Sequence, residues 1–264
     1  MNERNSDLIA LIPAAGQATR LGNLPFSKEL LPVSITPSRN GSERRIRVVS
    51  EVLLDSLEQA GASRAVIVIR NGKWDIPSYF SAGRAARIPI CFVPISASES
   101  VPESISYALP FLRESNVAFG FPDILFSPGT AFTELSDRLG QDGDDVVLGA
   151  FPTEQTSKWD MVDIGPGSEL RRIEIKPTGS ELRYAWAIAL WRPSFSDFLA
   201  QLGTSPRCRD GGPKFPEPIM SDILNEALEA GLRIRVHTFP NGRCLDIGTP
   251  DGFEQAITGT PWPE

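Results

Sequence analysis

The stretch from Leu8 to Val33 constrains this chain more than any other. Leu8-Ile9-Ala10-Leu11-Ile12 is an apolar run with the length and character of a buried strand. After Pro13 it breaks into Ala14, Ala15, Gly16, Gln17 and Ala18, followed by Thr19 and Arg20, with Lys28 further on. Small residues behind a strand let the backbone approach a ligand closely and point its N–H groups at phosphate. Two cations then face the same anion. The stretch predicts a strand–loop site for a nucleoside triphosphate.

The rest of the first half alternates strand and helix. Apolar positions 48, 49, 52, 53, 57 and 60 have helical spacing, and Gly61 stops that helix. Runs at 65–69, 88–94, 117–121 and 145–150 read as strands, and 103–114 as a helix with Pro102 near its start. Such alternation predicts a Rossmann-like α/β fold, a mixed and mainly parallel sheet with helices on both faces. The second half is richer in strands, at 159–164, 169–175 and 183–191, with helices at 219–231 and 251–258. We read one domain over 1–264, with a nucleotide-binding half at about 8–150 and an acceptor-binding half at about 151–258. Thr36 to Arg47, with four arginines, is expected to be a solvated loop; a basic lid facing phosphate is the sharper alternative. The segment 207–214, with Gly211-Gly212-Pro213, is a second candidate loop.

Composition narrows the function. The net charge of −7 argues against nucleic acid, whose backbone needs a basic face. A nucleotide needs only a few placed cations. No apolar run approaches a membrane span, and no signal peptide precedes the first strand. Cys91, Cys208 and Cys244 form no C-x-x-C pair, so neither zinc nor a disulfide framework is indicated and a reducing cytoplasm is the expected setting. The single histidine, His237, lies on the polar side of an alternating run, which places it at the surface rather than in catalysis.

Pro13-Ala14-Ala15-Gly16, Thr19-Arg20-Leu21 and Ser27-Lys28-Glu29-Leu30-Leu31-Pro32-Val33 together resemble the signature of the sugar-1-phosphate nucleotidyltransferases. The likeness is strongest to the glucose-1-phosphate uridylyl- and thymidylyltransferases. It implies the nucleotide-diphospho-sugar transferase fold and transfer of a nucleoside monophosphate from a triphosphate to a sugar-1-phosphate. It implies that Ala14 to Arg20, with Lys28, hold the nucleotide, and that Ser100 lies in the base-recognition segment. Asp123, just past an apolar strand in Phe121-Pro122-Asp123, matches the family's first metal-binding aspartate. Asp246, in Asp246-Ile247-Gly248-Thr249-Pro250, matches the second. Both then hold Mg²⁺, a hard cation that prefers carboxylate and phosphate oxygens. Lys176-Pro177 matches the lysine on the sugar phosphate, and Trp159, Glu174 and Ala187 fall where the family meets the sugar. Arg20, Lys28, Asp123, Lys176 and Asp246 are the implied catalytic set.

The departures from the pattern are specific. Ala18 stands for a glycine and is expected to narrow the phosphate site by one methyl. Ser27 stands for a frequent proline. Ile175 stands for the glutamate of Glu-Lys-Pro, and Glu174 comes one place earlier, which on a strand turns it to the other face. Ser100, Trp159-Asp160 and Ala187 replace glycine, Tyr-Gly and glycine. By the resemblance they lie towards the base and sugar, and two readings stand: neutral drift, or an altered acceptor, which is the sharper expectation. The expected partners are a nucleoside triphosphate and a phosphorylated small molecule, with homo-oligomerisation open. Three other readings stand beside this one. One is a cytidylyltransferase acting on a non-sugar phosphate, and another a non-catalytic regulatory protein of the same fold. The last, a dinucleotide-binding oxidoreductase, is disfavoured by the absence of G-x-G-x-x-G.

Overall fold

A computed structural model describes residues 7–37, 44–81, 86–203 and 219–259 of the chain. The first half contains β1 (Leu8–Ala14), a hairpin of β2 (Pro32–Pro37) and β3 (Arg44–Val48), α1 (Val49–Gln59), β4 (Arg64–Arg70), α2 (Asp75–Ser81), β5 (Ile90–Ile95), α3 (Val101–Ala108), β6 (Asn116–Gly120), β7 (Ile124–Ser127), α4 (Ala131–Asp142) and β8 (Val146–Pro152). The second half contributes β9 (Met161–Ile164), β10 (Leu170–Glu174), β11 (Tyr184–Trp191), α5 (Pro193–Gly203), α6 (Met220–Glu229), β12 (Ile234–Thr238), β13 (Arg243–Asp246) and α7 (Pro250–Thr258).

The main sheet runs β10-β9-β11-β6-β1-β4-β5, with β8 between β11 and β12. Strands β6, β1, β4 and β5 are parallel, as is the β8–β12 pair. β11 runs antiparallel to β6, β8 and β9, which gives the second half its strand-rich character. Both faces are buried, so the central strands read as continuous apolar runs rather than alternating ones. In β1, Ile9 and Leu11 pack on the face covered by α3, α5 and α6, while Ala10, Ile12 and Ala14 pack on the face covered by α1, α2 and α4. A third small cluster, with Leu31, Val33, Leu125, Ile247 and Ala256, seats the β7–β13 pair and α7 beside the sheet.

Several elements differ from the sequence expectation. The helix expected over 103–114 ends at Ala108, because Pro110 supplies no N–H and the chain closes instead into a short 3₁₀ turn, Leu109–Phe111. Where the polar stretch expected as a loop from Thr36 is described, at 36–37 and 44–47, it belongs to the paired strands β2 and β3, with Ile35 opposite Ile46. Two of its arginines are engaged by α1 rather than turned to phosphate: Arg45 pairs with Glu51 and Arg47 with Asp55. Arg39, Cys208 and the segment 207–214 lie outside the described residues. None of the described helices is long and apolar enough to cross a membrane.

Candidate active site

A cleft of about 890 Å³ opens beyond the carboxyl ends of β1, β5 and β6, the side of an open α/β sheet where ligands bind. Ala15, Gly16, Gln17, Thr19 and Arg20 line it directly behind β1. Among the described residues no acceptor takes the backbone N–H groups of Gly16, Gln17 and Ala18. A run of backbone N–H groups left open in this way can receive an anion. Ala14 is different: it is buried at the end of β1 and packs under the sheet, outside the cleft lining. Ala18 does not line the cleft either. It sits in the left-handed region at φ 57°, where a Cβ is disfavoured. The methyl therefore carries a backbone cost at this position.

Asp123 and Asp246, the two aspartates expected to hold metal, come together although they are far apart in sequence. The chain after β6 and the chain after β13 are joined by a backbone bond from Ile247 N–H to Asp123 C=O, 2.9 Å long. Strands β7 and β13 pair alongside, with Ile124 opposite Asp246. A Cβ placed on Gly248 would stand 2.6 Å from Asp123 Oδ2 and 2.9 Å from Asp246 Oδ1, so both carboxylates converge on this glycine. Gly248 N–H donates to Asp246 Oδ1 at 2.8 Å.

Each carboxylate is met by a cation from the β1 loop region. Lys28 Nζ donates to Asp123 Oδ2 at 2.6 Å, and both side chains are nearly buried. Arg20 Nη1 lies 3.2 Å from Asp246 Oδ2, with its guanidinium largely exposed. Burial pulls the Lys28 ammonium down. Asp123, by charge and hydrogen bond, with Glu29 and Asp246 adding to it, outweighs burial and holds the group above the ordinary lysine value. Lys28 is therefore a fixed positive charge.

A clamp that the sequence reading missed holds Lys28 in place. Ser27 donates its N–H and its hydroxyl to the two oxygens of Asp75, at 2.6 and 2.7 Å. A proline at 27 would supply neither donor. On the other side of Lys28, the Glu29 carboxylate is buried at 1% exposure and takes both its oxygens to Lys73 Nζ, at 2.7 and 2.8 Å. Burial raises Glu29 and lowers Lys73 from their ordinary values. Nothing local in the sequence marks Glu29, Lys73 and Asp75 as partners, because they meet only across the fold.

The other half of the cleft, expected to take the acceptor, is lined by Phe121, Lys158, Trp159, Asp160, Lys176, Trp186, Ile219 and Met220. Lys176 is exposed and sits at φ 41°, just past the end of β10. Glu174 does not line the cleft; its carboxylate is held by Arg172 and by Ser180 Oγ. Ala187 is fully buried on the opposite face of the sheet, and Trp186 takes the place towards the cleft. The cause is a bulge in β11. Trp186 pairs with Ala150 and Ile188 with Gly149, so Ala187 and Ile188 both face α1 and α4. Ser100 lines the cleft and caps α3, accepting from Glu103 N–H at 3.2 Å.

Two other groups are set apart from this chemistry. His237 is half-buried outside the cleft, against Glu134 at 3.2 Å and edge-on to Phe239. The Cys244 thiol is pushed up to about 12 by burial and by Asp246, so it is no nucleophile at neutral pH.

No protein-family model and no curated protein sequence matches the chain. Solved structures do. One, from Bacillus anthracis and described as a glucose-1-phosphate thymidylyltransferase in complex with sucrose, superimposes with a TM-score of 0.77 at 16% identity, covering 97% of this chain and 98% of that one. A UDP-glucose pyrophosphorylase complexed with UDP-glucose gives 0.75 at 17% identity, covering 95% and 97%. A UTP-bound UGPase from Acinetobacter baumannii gives 0.70 at 14% identity, covering 95% and 92%. The chain has the mixed α/β fold of the sugar-1-phosphate nucleotidyltransferases.

Proposed function

We propose that the chain is a nucleotidyltransferase that moves a nucleoside monophosphate from a nucleoside triphosphate to a phosphorylated acceptor of the sugar-1-phosphate class, releasing pyrophosphate. The observation that carries this reading is the convergence of Asp123, Asp246, Lys28 and Arg20 beside a loop with free N–H groups. Fold likeness to proteins described as acting on such substrates supports it.

In this reading an oxygen of the acceptor phosphate attacks the α-phosphorus in line, and pyrophosphate leaves from the opposite side. The nucleophile is already an anion, so no general base is required, and the remote His237 agrees with that. The obstacle is repulsion between two anions. Arg20 and Lys28 neutralise charge on the triphosphate, the N–H groups of residues 16–18 orient it, and Lys176 holds the acceptor phosphate. Positioning and charge stabilisation of this kind supply most of the rate in phosphoryl chemistry.

The donor set suits Mg²⁺. No cluster of three acidic, histidine or cysteine ligands exists among the described residues. Mg²⁺ does not need one, since it is held by one or two carboxylates together with substrate phosphates. Asp123 and Asp246 would hold it, and bound there it supplies charge neutralisation on the phosphates.

A matrix of the common nucleoside triphosphates against sugar-1-phosphates, phosphocholine and polyol phosphates, scored by pyrophosphate release, tests the reading. Turnover is expected with Mg²⁺ and is lost in excess chelator. α-Glucose-1-phosphate is expected to be a poor acceptor beside another sugar phosphate, given Trp159, Asp160 and Trp186 in the cleft. Turnover confined to phosphocholine with CTP would move the protein to the cytidylyltransferase class. Triphosphate binding without turnover of any acceptor would make it a binding protein.

A further inference from the structure

The acceptor half of the cleft holds a carboxylate that the reaction above leaves unused. Asp160 lies between Trp159 and the first residue of β9 and lines the cleft. Its Oδ2 accepts from Ser221 Oγ at 2.6 Å. Ser221, fully buried on α6, in turn accepts from Trp186 Nε1 at 2.9 Å. A second tie runs through the backbone, from Trp186 N–H to Asp160 C=O at 3.3 Å. The indole and the carboxylate that face the acceptor are thus fixed to each other through α6.

The other oxygen, Asp160 Oδ1, is buried and has no hydrogen-bond partner among the described residues. Nor does any described cation pair with Asp160, whereas Asp123 and Asp246 each have one. A buried acceptor left unmade costs about 1–3 kcal/mol. One oxygen is anchored through a buried serine, and the other is covered and unpaired in a residue that lines the cleft, a cost that a donor carried on a bound acceptor would relieve. Glu174, the carboxylate expected beside the sugar, is engaged with Arg172 and Ser180 instead.

We infer that Asp160 determines acceptor specificity: its Oδ1 accepts a hydrogen bond from a hydroxyl of the phosphorylated acceptor. This rests on the nucleotidyl-transfer reading and sharpens it. The acceptor is a hydroxyl-bearing ring or polyol phosphate, with Trp159 and Trp186 against its carbon face. A site built to bond a hydroxyl strongly rejects the analogue that lacks it, because a buried polar group is then left unpaired. Ser221 is a positioning residue that acts through Asp160.

The test compares α-glucose-, α-galactose- and α-mannose-1-phosphate, with each monodeoxy form of the best of them, by pyrophosphate release in the wild type, Asp160→Ala, Asp160→Asn and Ser221→Ala. In the wild type, one deoxy analogue is expected to lose roughly tenfold or more in kcat/KM. In Asp160→Ala that difference disappears, because the parent sugar falls to the level of its analogue, while KM for the triphosphate is unchanged. Asp160→Asn keeps the shape and the Ser221 bond but turns an N–H₂ to the hydroxyl, and it reduces the discrimination. This variant reports on the proposal even if Asp160→Ala does not fold. Ser221→Ala falls between wild type and Asp160→Ala. Equal loss of kcat/KM for the parent sugar and every analogue in the Asp160 variants overturns the inference, as does a wild type indifferent to every hydroxyl. Pyrophosphate release from no acceptor at all overturns the nucleotidyl-transfer reading itself.

Discussion

Asp123→Asn lowers kcat by about a hundredfold or more, a loss of roughly 3 kcal/mol in transition-state stabilisation. The substitution keeps the side chain's size and removes its charge. That charge is what holds Lys28 Nζ at 2.6 Å and converges with Asp246 on Gly248. Lys28→Met is expected to fall by a similar factor, because Lys28 and Asp123 form one buried unit. Groups that act as a unit are not additive, so the double variant should be little worse than either single one. Steady-state pyrophosphate release on the best substrate pair measures all three. Near-wild-type turnover in Asp123→Asn would remove this carboxylate from the chemistry.

The second large effect is on stability. Lys73→Met leaves the Glu29 carboxylate buried without its partner, and losing one member of a buried pair costs about 3–5 kcal/mol. Glu29 is 1% exposed, so little water replaces the lost ammonium. Urea unfolding should show a midpoint well below the wild type. The pH dependence follows from Glu29, whose carboxyl burial already raises above its usual 4.5. Without Lys73 it rises further. A group with a raised folded pKa favours the fold below its unfolded pKa and loses that favour as pH rises through the folded one. The deficit of Lys73→Met therefore shrinks as the solution is acidified towards pH 4.5. Pairing Lys73→Met with Glu29→Leu restores most of the stability, since an apolar pair replaces a buried ionic one at little cost. A Lys73→Met variant within about 1 kcal/mol of wild type would mean that the pair is no constraint on the loop.

The loop behind β1 was legible because its information is local. A buried strand, small residues and two cations follow one another within a single stretch, and the structure puts Gly16, Gln17, Thr19, Arg20 and Lys28 on one cleft. The meeting of Asp123 with Asp246 was expected only from resemblance. No local rule brings them together; the β7–β13 pair does, and neither short strand was read from the sequence. The Ala187 expectation failed on register, since a bulge between Trp186 and Ile188 carries no composition of its own, yet decides which residue meets the cleft. The sequence expectation includes neither α4 nor α5, although both present amphipathic faces to the sheet. The Glu29–Lys73 pair and the Trp186–Ser221–Asp160 chain were invisible for a different reason: polar partners distant in sequence leave no spacing to recognise.

The claim on which all of this depends is transfer of a nucleotidyl group to a phosphate. It is tested most directly by following ³¹P resonances of the best triphosphate and sugar-1-phosphate pair with enzyme and Mg²⁺. Pyrophosphate and a new diphosphate diester are expected to appear in equal amounts as both substrates decline, and added pyrophosphate is expected to drive the reaction back. Release of inorganic phosphate from the triphosphate, or consumption of the triphosphate while the sugar phosphate signal stays constant, would contradict it.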